Sequence, residues 1–371
     1  MSAPRPLARP EPPGFGEPAP FFTAETDGVP AYSIQVAAGR WLVLMVFGSL
    51  EGAPECEALT AVLARGRLFD DVRAAFFGVS TDPKDRFERG LASMPVGVRY
   101  FWDFDQRACA ALGVAGQDRP RPMVFLIDPA FRVVMNAPIS QVAAVLDRLE
   151  QELALERATE PQDQPYAPVL TIPRVFEPEL CRLLIDYFEA GSPEPSGFAA
   201  DIDGRTRQVV DSRLKRRHDV TVEDPGLLVA IEQRLVRRLL PMVKTAFGWQ
   251  ATQIERFLIC RYAADDQGFF VAHRDDVTLG SAHRKFAVSI NLNAGEYEGG
   301  QLRFPEFGRR LYGPPSGGAT VFGCSLLHEV TPVTAGMRYV FVPFLFDEAG
   351  LRLRRQNMAL TDQGEAVRDD S

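Results

Sequence analysis

Histidine and cysteine are scarce in this chain, with four of the first and five of the second among 371 residues. The cysteines (Cys56, Cys109, Cys181, Cys260 and Cys324) are odd in number, widely spaced and form no CxxC pair. That pattern argues against a disulfide framework and against a thiolate zinc site, so reduced thiols are expected. Long apolar runs are missing as well. The longest, over 41–47, has the length of a strand and falls far short of the roughly 20 residues that span a bilayer, so no membrane crossing is expected. The N-terminus carries no basic segment followed by an apolar one, which leaves no secretory signal and points to a cytoplasmic protein. There is no basic excess either: 41 Lys and Arg face 49 Asp and Glu, for a net charge of −8. Nucleic acid and anionic membrane are therefore not expected partners. No internal repeat with a period of about 20–50 residues is visible, which excludes a solenoid or propeller.

Apolar residues make up 46% of the chain and charged residues 24%, the proportions of a folded globular protein. The length favours two domains. Residues 1–20 are proline-rich and read as a flexible lead-in. Over 21–157 strands alternate with helices, the mark of an α/β domain. Strands are expected over 41–47 and 75–79, with a helix between them that opens at Pro54 and runs through Leu59, Val62, Leu63 and Phe69. Two further strands, 124–127 and 133–135, are joined by a turn at Asp128-Pro129, and an amphipathic helix covers 142–155. Residues 158–167 are polar and proline-bearing and read as a linker. The second domain, 168–371, opens with a helix from Pro178 to near Gly191 that places Leu180, Leu183, Leu184 and Phe188 on one face. A second helix begins at Asp224-Pro225, buries Leu228, Ile231, Leu235 and Leu239, and is kinked or ended by Pro241. Strands over 257–262, 286–292, 301–304, 319–322 and 339–346 then predict a mainly-β sandwich or barrel backed by those helices.

The chemistry is concentrated in that β region. His273 and Asp275 stand two residues apart, and on an extended strand such positions face the same way. His328 follows about fifty residues on, and two histidines with one carboxylate form the facial triad of non-haem Fe(II) oxygenases. Three ligands leave three coordination positions open: two for the 2-oxo group and adjacent carboxylate of 2-oxoglutarate, one for dioxygen. The far carboxylate of that co-substrate needs a buried cation, and the planar fork of arginine suits it. Arg338 follows His328 by ten residues, and Thr334-Ala335-Gly336 between them reads as a turn that sets the two on neighbouring strands. Tyr262, on the strand before His273, offers a further hydrogen bond to the same carboxylate. Blander readings apply elsewhere. His218 and His283 read as solvated loop residues, and Cys260 and Cys324 as small core residues. The basic run Arg205, Arg207, Arg213, Lys215, Arg216, Arg217 and His218 reads as a solvated face, with recognition of an acidic or phosphorylated substrate as the alternative.

The segments RYAADDQGFFVAHRD, YEGGQLRFPEFGRR, PPSGGATVFGCSLLHEVTPV and TAGMRY together resemble the prolyl 4-hydroxylase-type branch of the Fe(II)/2-oxoglutarate dioxygenases, nearer its bacterial hydroxylases than the animal collagen enzymes. The resemblance implies a double-stranded β-helix (jelly roll, cupin-like). It also implies His273, Asp275 and His328 as iron ligands, and Arg338 with Tyr262 as the 2-oxoglutarate site. The implied reaction is oxidative decarboxylation of 2-oxoglutarate to succinate and CO2, coupled to hydroxylation of a peptidyl proline, another side chain, an amino acid or a small molecule. L-ascorbate is implied as an auxiliary reductant. Gln301 stands where relatives often carry glutamate. Over about 13–155 the pieces GRWLVLMVFGS, FFGVSTDP and RPMVFLIDP resemble the peroxiredoxin-like branch of the thioredoxin superfamily, with Pro122 at its cis-proline position. Cys56 then occupies the peroxidatic place, with Arg121 as the residue that would polarise a peroxide. The family's proline seven residues earlier is Ser49 here, and its threonine or serine three earlier is Ala53. Three functions compete: an oxygenase with an ancillary thioredoxin-like domain, a thiol peroxidase using Cys56, and a non-catalytic binding protein. An inert N-terminal domain would shape substrate access or make a homodimer contact.

Overall fold

A computed structural model describes residues 11–89, 91, 95–159, 163–202, 204–358, 361 and 367–368. The first half of the expected lead-in and residues 160–162 of the expected linker lie outside them. The chain divides into two compact units, Met1–Pro165 with Pro305–Gly308, and Tyr166–Phe304 with Arg309–Ser371.

The first unit is a seven-stranded mixed sheet in the order Val29–Ser33, Thr23–Thr26, Val98–Trp102, Ala74–Ser80, Trp41–Gly48, Met123–Ile127, Val133–Pro138. Trp41–Gly48 pairs in parallel with Ala74–Ser80 and antiparallel with Met123–Ile127. These three strands are buried at every position, which is why they read as continuous apolar runs rather than alternating ones. On one face Val43, Met45 and Phe47 pack beneath Leu59 and Val62 of helix Ala53–Ala64 and Leu146, Leu149 and Leu153 of helix Val142–Ala158. Leu63, expected on that face, is 37% exposed. The fold is thioredoxin-like, with one departure from expectation: among the described residues no peptide bond is cis, so the bond preceding Pro122 is trans.

The second unit is a double-stranded β-helix. Its larger sheet runs Gln253–Glu255, Phe344–Phe346, Phe286–Asn291, Val333–Phe341, Leu258–Ala263, His218–Thr221, Glu194–Pro195, and the smaller one Lys215–Arg216, Phe269–His273, His328–Val330, Leu302–Arg303, Leu311–Tyr312. Helix Pro178–Ala190 buries Leu180, Leu184 and Phe188, and the helical stretch that follows buries Ile231, Leu235, Leu239 and Val243, against Ile259, Ile290, Val321, Phe341 and Leu345 of the larger sheet. Leu183 is half exposed rather than on the packed face. Pro241 does not end its helix. Pro225–Arg234 leads through a π-helical turn at Leu235–Leu239 into Leu240–Phe247. A widened turn is one way a helix accommodates a proline that has no N–H to offer and a ring that crowds the preceding turn.

Two strand expectations are also revised. The run 339–346 is two strands broken at Val342 and Pro343, and Thr334-Ala335-Gly336 is not a turn but lies within Val333–Phe341. There it pairs with Tyr297–Gly299, so cross-strand hydrogen bonds override its local turn chemistry.

Candidate metal centre and anion pocket

His273 ends strand Phe269–His273 and His328 begins strand His328–Val330, and the two are register partners across the smaller sheet. The expectation that His273 and Asp275 share one strand needs adjusting, because the strand stops at His273. Asp275 is instead placed by its backbone N–H, which donates to the Cys324 carbonyl at 2.9 Å. Its two oxygens then lie 3.6 Å from His273 Nε2 and 3.3 Å from His328 Nε2. One ligand atom from each residue falls within 4.8 Å of the others, a cluster able to hold a metal ion.

Each histidine uses Nδ1 on its own chain: His273 with the Val271 carbonyl at 2.8 Å and His328 with the Leu326 carbonyl at 3.0 Å. A carbonyl only accepts, so Nδ1 carries the hydrogen and Nε2 keeps a free lone pair aimed at the cluster. Burial, with the charge of His273 nearby, pushes His328 down to about 4, so the ring is neutral at physiological pH. Burial alone would raise the Asp275 carboxyl, but His328 and His273 outweigh it and hold it well below the usual range. Two imidazoles and one carboxylate are the donor set that suits a divalent iron. Aromatic rings fix the imidazoles in place. Phe270 stacks on His273 with centroids 3.5 Å apart, and Phe322 lies 4.6 Å from His328.

Arg338 is only 3% exposed and sits on the larger sheet as the register partner of Tyr262. Its Nη2 donates to Ser289 Oγ and Asn291 Oδ1, both at 3.3 Å, while its Nε has no partner. Among the described residues no carboxylate pairs with it. A buried guanidinium held only by neutral groups carries a desolvation penalty of several kcal/mol that an incoming anion would offset. Gly300, at φ +66°, makes room for this side chain, since a Cβ there would meet Arg338 Cδ at 2.9 Å. Ser289 and Asn291 escaped the sequence reading. Their signal was two polar residues at i and i+2 in the otherwise apolar run AVSIN, which places both on one face of a strand.

The basic run is not simply solvated. Lys215 and Arg217 are buried, at 5% and 8% exposure. Lys215 donates to the Gly197 carbonyl at 2.6 Å and lies 4.6 Å over the Phe270 ring. Arg217 pairs with Asp219 at 2.7 Å and donates to the Tyr262 hydroxyl at 3.5 Å. The two guanidiniums of Arg217 and Arg338 lie 5.8 and 5.4 Å from the Tyr262 ring centroid. The remaining histidines also differ from expectation. His218 belongs to strand His218–Thr221, and His283 is 2% exposed with Nε2 3.1 Å from Glu255. Cys260 and Cys324 are buried core thiols, as expected.

In the first unit Cys56 is exposed in the first turn of helix Ala53–Ala64, with Sγ 3.1 Å from the Leu50 carbonyl. Ser49 donates to Asp82 at 2.7 Å. Arg121 is exposed, and among the described residues no hydrogen bond joins it to Cys56.

The double-stranded β-helix, two histidines, one carboxylate and an unneutralised buried arginine define the class of the second unit as oxygenase-like. A PKHD-type hydroxylase from Thioalkalivibrio sulfidiphilus is 31% identical over 218 residues, which is 55% of this chain and 89% of that protein. The chain belongs to the PKHD-type hydroxylase family. Residues 15–135 match the AhpC/TSA family, so a thioredoxin-like unit is fused to a hydroxylase unit. Among solved structures, a Pseudomonas putida prolyl-4-hydroxylase is similar at 16% identity, covering 49% of this chain and 94% of its own with a TM-score of 0.37. Xanthomonas campestris peroxiredoxin Q is similar at 21% identity, covering 35% and 90% with a TM-score of 0.30. Among the described residues no helix is long and apolar enough to cross a membrane.

Proposed function

We propose that the chain is a hydroxylase that oxidatively decarboxylates 2-oxoglutarate to succinate and CO2 and couples this to hydroxylation of a peptide side chain or a small molecule. In this reading His273, Asp275 and His328 hold Fe(II), and Arg338 with Tyr262 receives the far carboxylate of 2-oxoglutarate. The observation that carries it is the pairing of two features: imidazole Nε2 atoms converging on a carboxylate, and a buried arginine with no carboxylate partner among the described residues. When bound, the iron would supply activation of dioxygen. The chain's part is orientation. The main-chain bonds at Nδ1 keep both imidazoles in one tautomer, and Ser289 and Asn291 hold the Arg338 fork so that its remaining donors stay free for an anion. Arg217 donates to the Tyr262 oxygen, which leaves the phenolic hydrogen for the co-substrate. Ascorbate would serve by returning the metal to the ferrous state.

The hydroxylase domain is read as 168–371, after a linker over 158–167 and a thioredoxin-like domain over 21–157. That first domain is read as structural or recruiting. Ala53 offers no hydroxyl near Cys56, and the Ser49 hydroxyl is committed to Asp82. The deciding experiment is anaerobic addition of Fe(II) and 2-oxoglutarate, which should give the visible charge-transfer band of a chelated 2-oxo acid. His273→Ala should abolish it. A wild-type protein that binds no iron and shows no band ends this reading.

A further inference from the structure

One cavity of the second unit, about 420 Å³ in volume, shares no lining residue with the metal cluster or with Arg338 and Tyr262. Among the described residues three arginines, Arg256, Arg284 and Arg354, line it together with His283 and one carboxylate, Glu255. Glu255 is already shared, with Arg284 Nε at 2.6 Å, His283 Nε2 at 3.1 Å and Arg354 Nη1 at 3.7 Å. Arg256 has no carboxylate partner among the described residues. Its backbone holds the left-handed conformation, φ +63°, which is uncommon for a residue with a side chain. Arg256 and Arg284 both sit on the Phe344 ring, at 5.5 and 4.1 Å from its centroid, so two like charges share one aromatic platform. Among the described lining residues three guanidiniums face one carboxylate, and a further carboxylate, Asp201, is bonded to the lining Thr206.

An independent sign comes from His283, which is 2% exposed and whose Nδ1 has no hydrogen-bond partner. Its Nε2 faces the Glu255 carboxylate and carries a hydrogen. A buried polar atom left unsatisfied costs about 1–3 kcal/mol, so such atoms usually have a partner in the working state. The cavity wall is also braced: Asn357, at the end of helix Glu348–Asn357, donates to the Leu279 carbonyl at 2.8 Å and ties that helix to the loop leading to His283.

We infer that this cavity is an oxyanion-binding site, separate from the metal centre, that takes the phosphate or carboxylate group of a small anionic ligand. The lining guanidiniums match an oxyanion, and their planar forks match its oxygens. The site does not depend on iron or 2-oxoglutarate, so it stands or falls apart from the hydroxylase reading.

The test is calorimetric titration of the metal-free full chain with inorganic phosphate and, separately, with succinate, at low ionic strength. The variants are Arg354→Gln and Arg256→Gln, both at exposed positions, each made in an Arg338→Met background that removes the buried cation assigned to 2-oxoglutarate. Saturable one-to-one phosphate binding is expected in Arg338→Met, where only this site remains, and should be weakened about tenfold or more when either of the other two substitutions is added. Succinate binding that survives Arg338→Met and exceeds that of phosphate assigns a carboxylate ligand, and the reverse order a phosphate ligand. Absence of saturable binding of either anion overturns the inference. So does unchanged affinity in Arg354→Gln and Arg256→Gln proteins with wild-type melting temperatures, or loss of all binding in Arg338→Met.

Discussion

Replacing Arg338 by alanine, lysine or methionine separates what the residue does for the fold from what it does for a ligand. The residue is 3% exposed, and among the described residues its guanidinium bonds two neutral oxygens at 3.3 Å and no carboxylate. Removing a buried charge that has no counter-charge relieves desolvation rather than breaking an ion pair, so Arg338→Met should leave the melting temperature of the apoprotein unchanged or raise it. Alanine should lower it somewhat, through the cavity it leaves. Binding of 2-oxoglutarate should respond very differently. Truncating one partner of a buried, hydrogen-bonded charge pair costs about 2–5 kcal/mol, a loss of roughly thirty- to several-thousand-fold in affinity for both the methionine and alanine proteins. Arg338→Lys keeps the charge but gives up the two-pronged contact, and should fall between. The assay is anaerobic titration of 2-oxoglutarate against the iron-loaded protein, read by its charge-transfer band, with Fe(II) affinity and melting temperature measured on each variant. If a folded Arg338→Met protein binds 2-oxoglutarate as tightly as wild type, the reasoning is wrong. If it instead loses stability and iron affinity together, Arg338 serves the fold and not the ligand.

Cys56→Ser should leave 2-oxoglutarate turnover nearly unchanged, because Ala53 offers no hydroxyl to orient a peroxide at the thiol and the Thr60 hydroxyl is bonded to the Cys56 carbonyl; a tenfold loss in well-folded protein would place the thiol in the oxygenase cycle. Glu255 should make the second unit acid-sensitive. Burial would raise its carboxyl, but the His283 hydrogen bond and the Arg284 charge outweigh this and hold it at about 2, below the ordinary 4.5. A depressed folded-state value stabilises the protein above the unfolded value, and that stability drains away as pH falls from about 4.5 through 2. The amount is on the order of 3 kcal/mol. Glu255→Gln should flatten the loss between pH 5 and 3 in denaturant melts, and parallel curves for the two proteins would contradict the account.

The elements most legible in the sequence were those whose burial is complete. The run over 41–47 could only be a core strand, and His273, Asp275 and His328 stood out because histidine is rare in the chain and their spacing is distinctive. What stayed hidden depends on partners far along the chain. Lys215 and Arg217 look like members of a solvated basic run until the larger sheet brings Tyr262 beside Arg217, and the smaller sheet brings Phe270 beneath Lys215. His283 looks like a loop histidine until Glu255, 28 residues away, is found against it. Thr334-Ala335-Gly336 has the composition of a turn, and only its pairing with Tyr297–Gly299 makes it a strand. Local chemistry cannot report such pairings, because a residue's neighbours along the chain do not reveal which sheet will cover it.

The main-chain anchoring of the metal cluster bears on how freely the protein can evolve. His273 and His328 each donate from Nδ1 to a carbonyl two residues upstream, and Asp275 donates its backbone N–H to the carbonyl of Cys324. None of these supports is a side chain, so ordinary substitutions at Val271, Leu326 or Cys324 leave the acceptors where they are. Mutational robustness of this kind confines the hydrogen-bonding requirement of the cluster to three ligands and the path of the backbone, with the Phe270 and Phe322 rings as the side chains that still pack on the imidazoles.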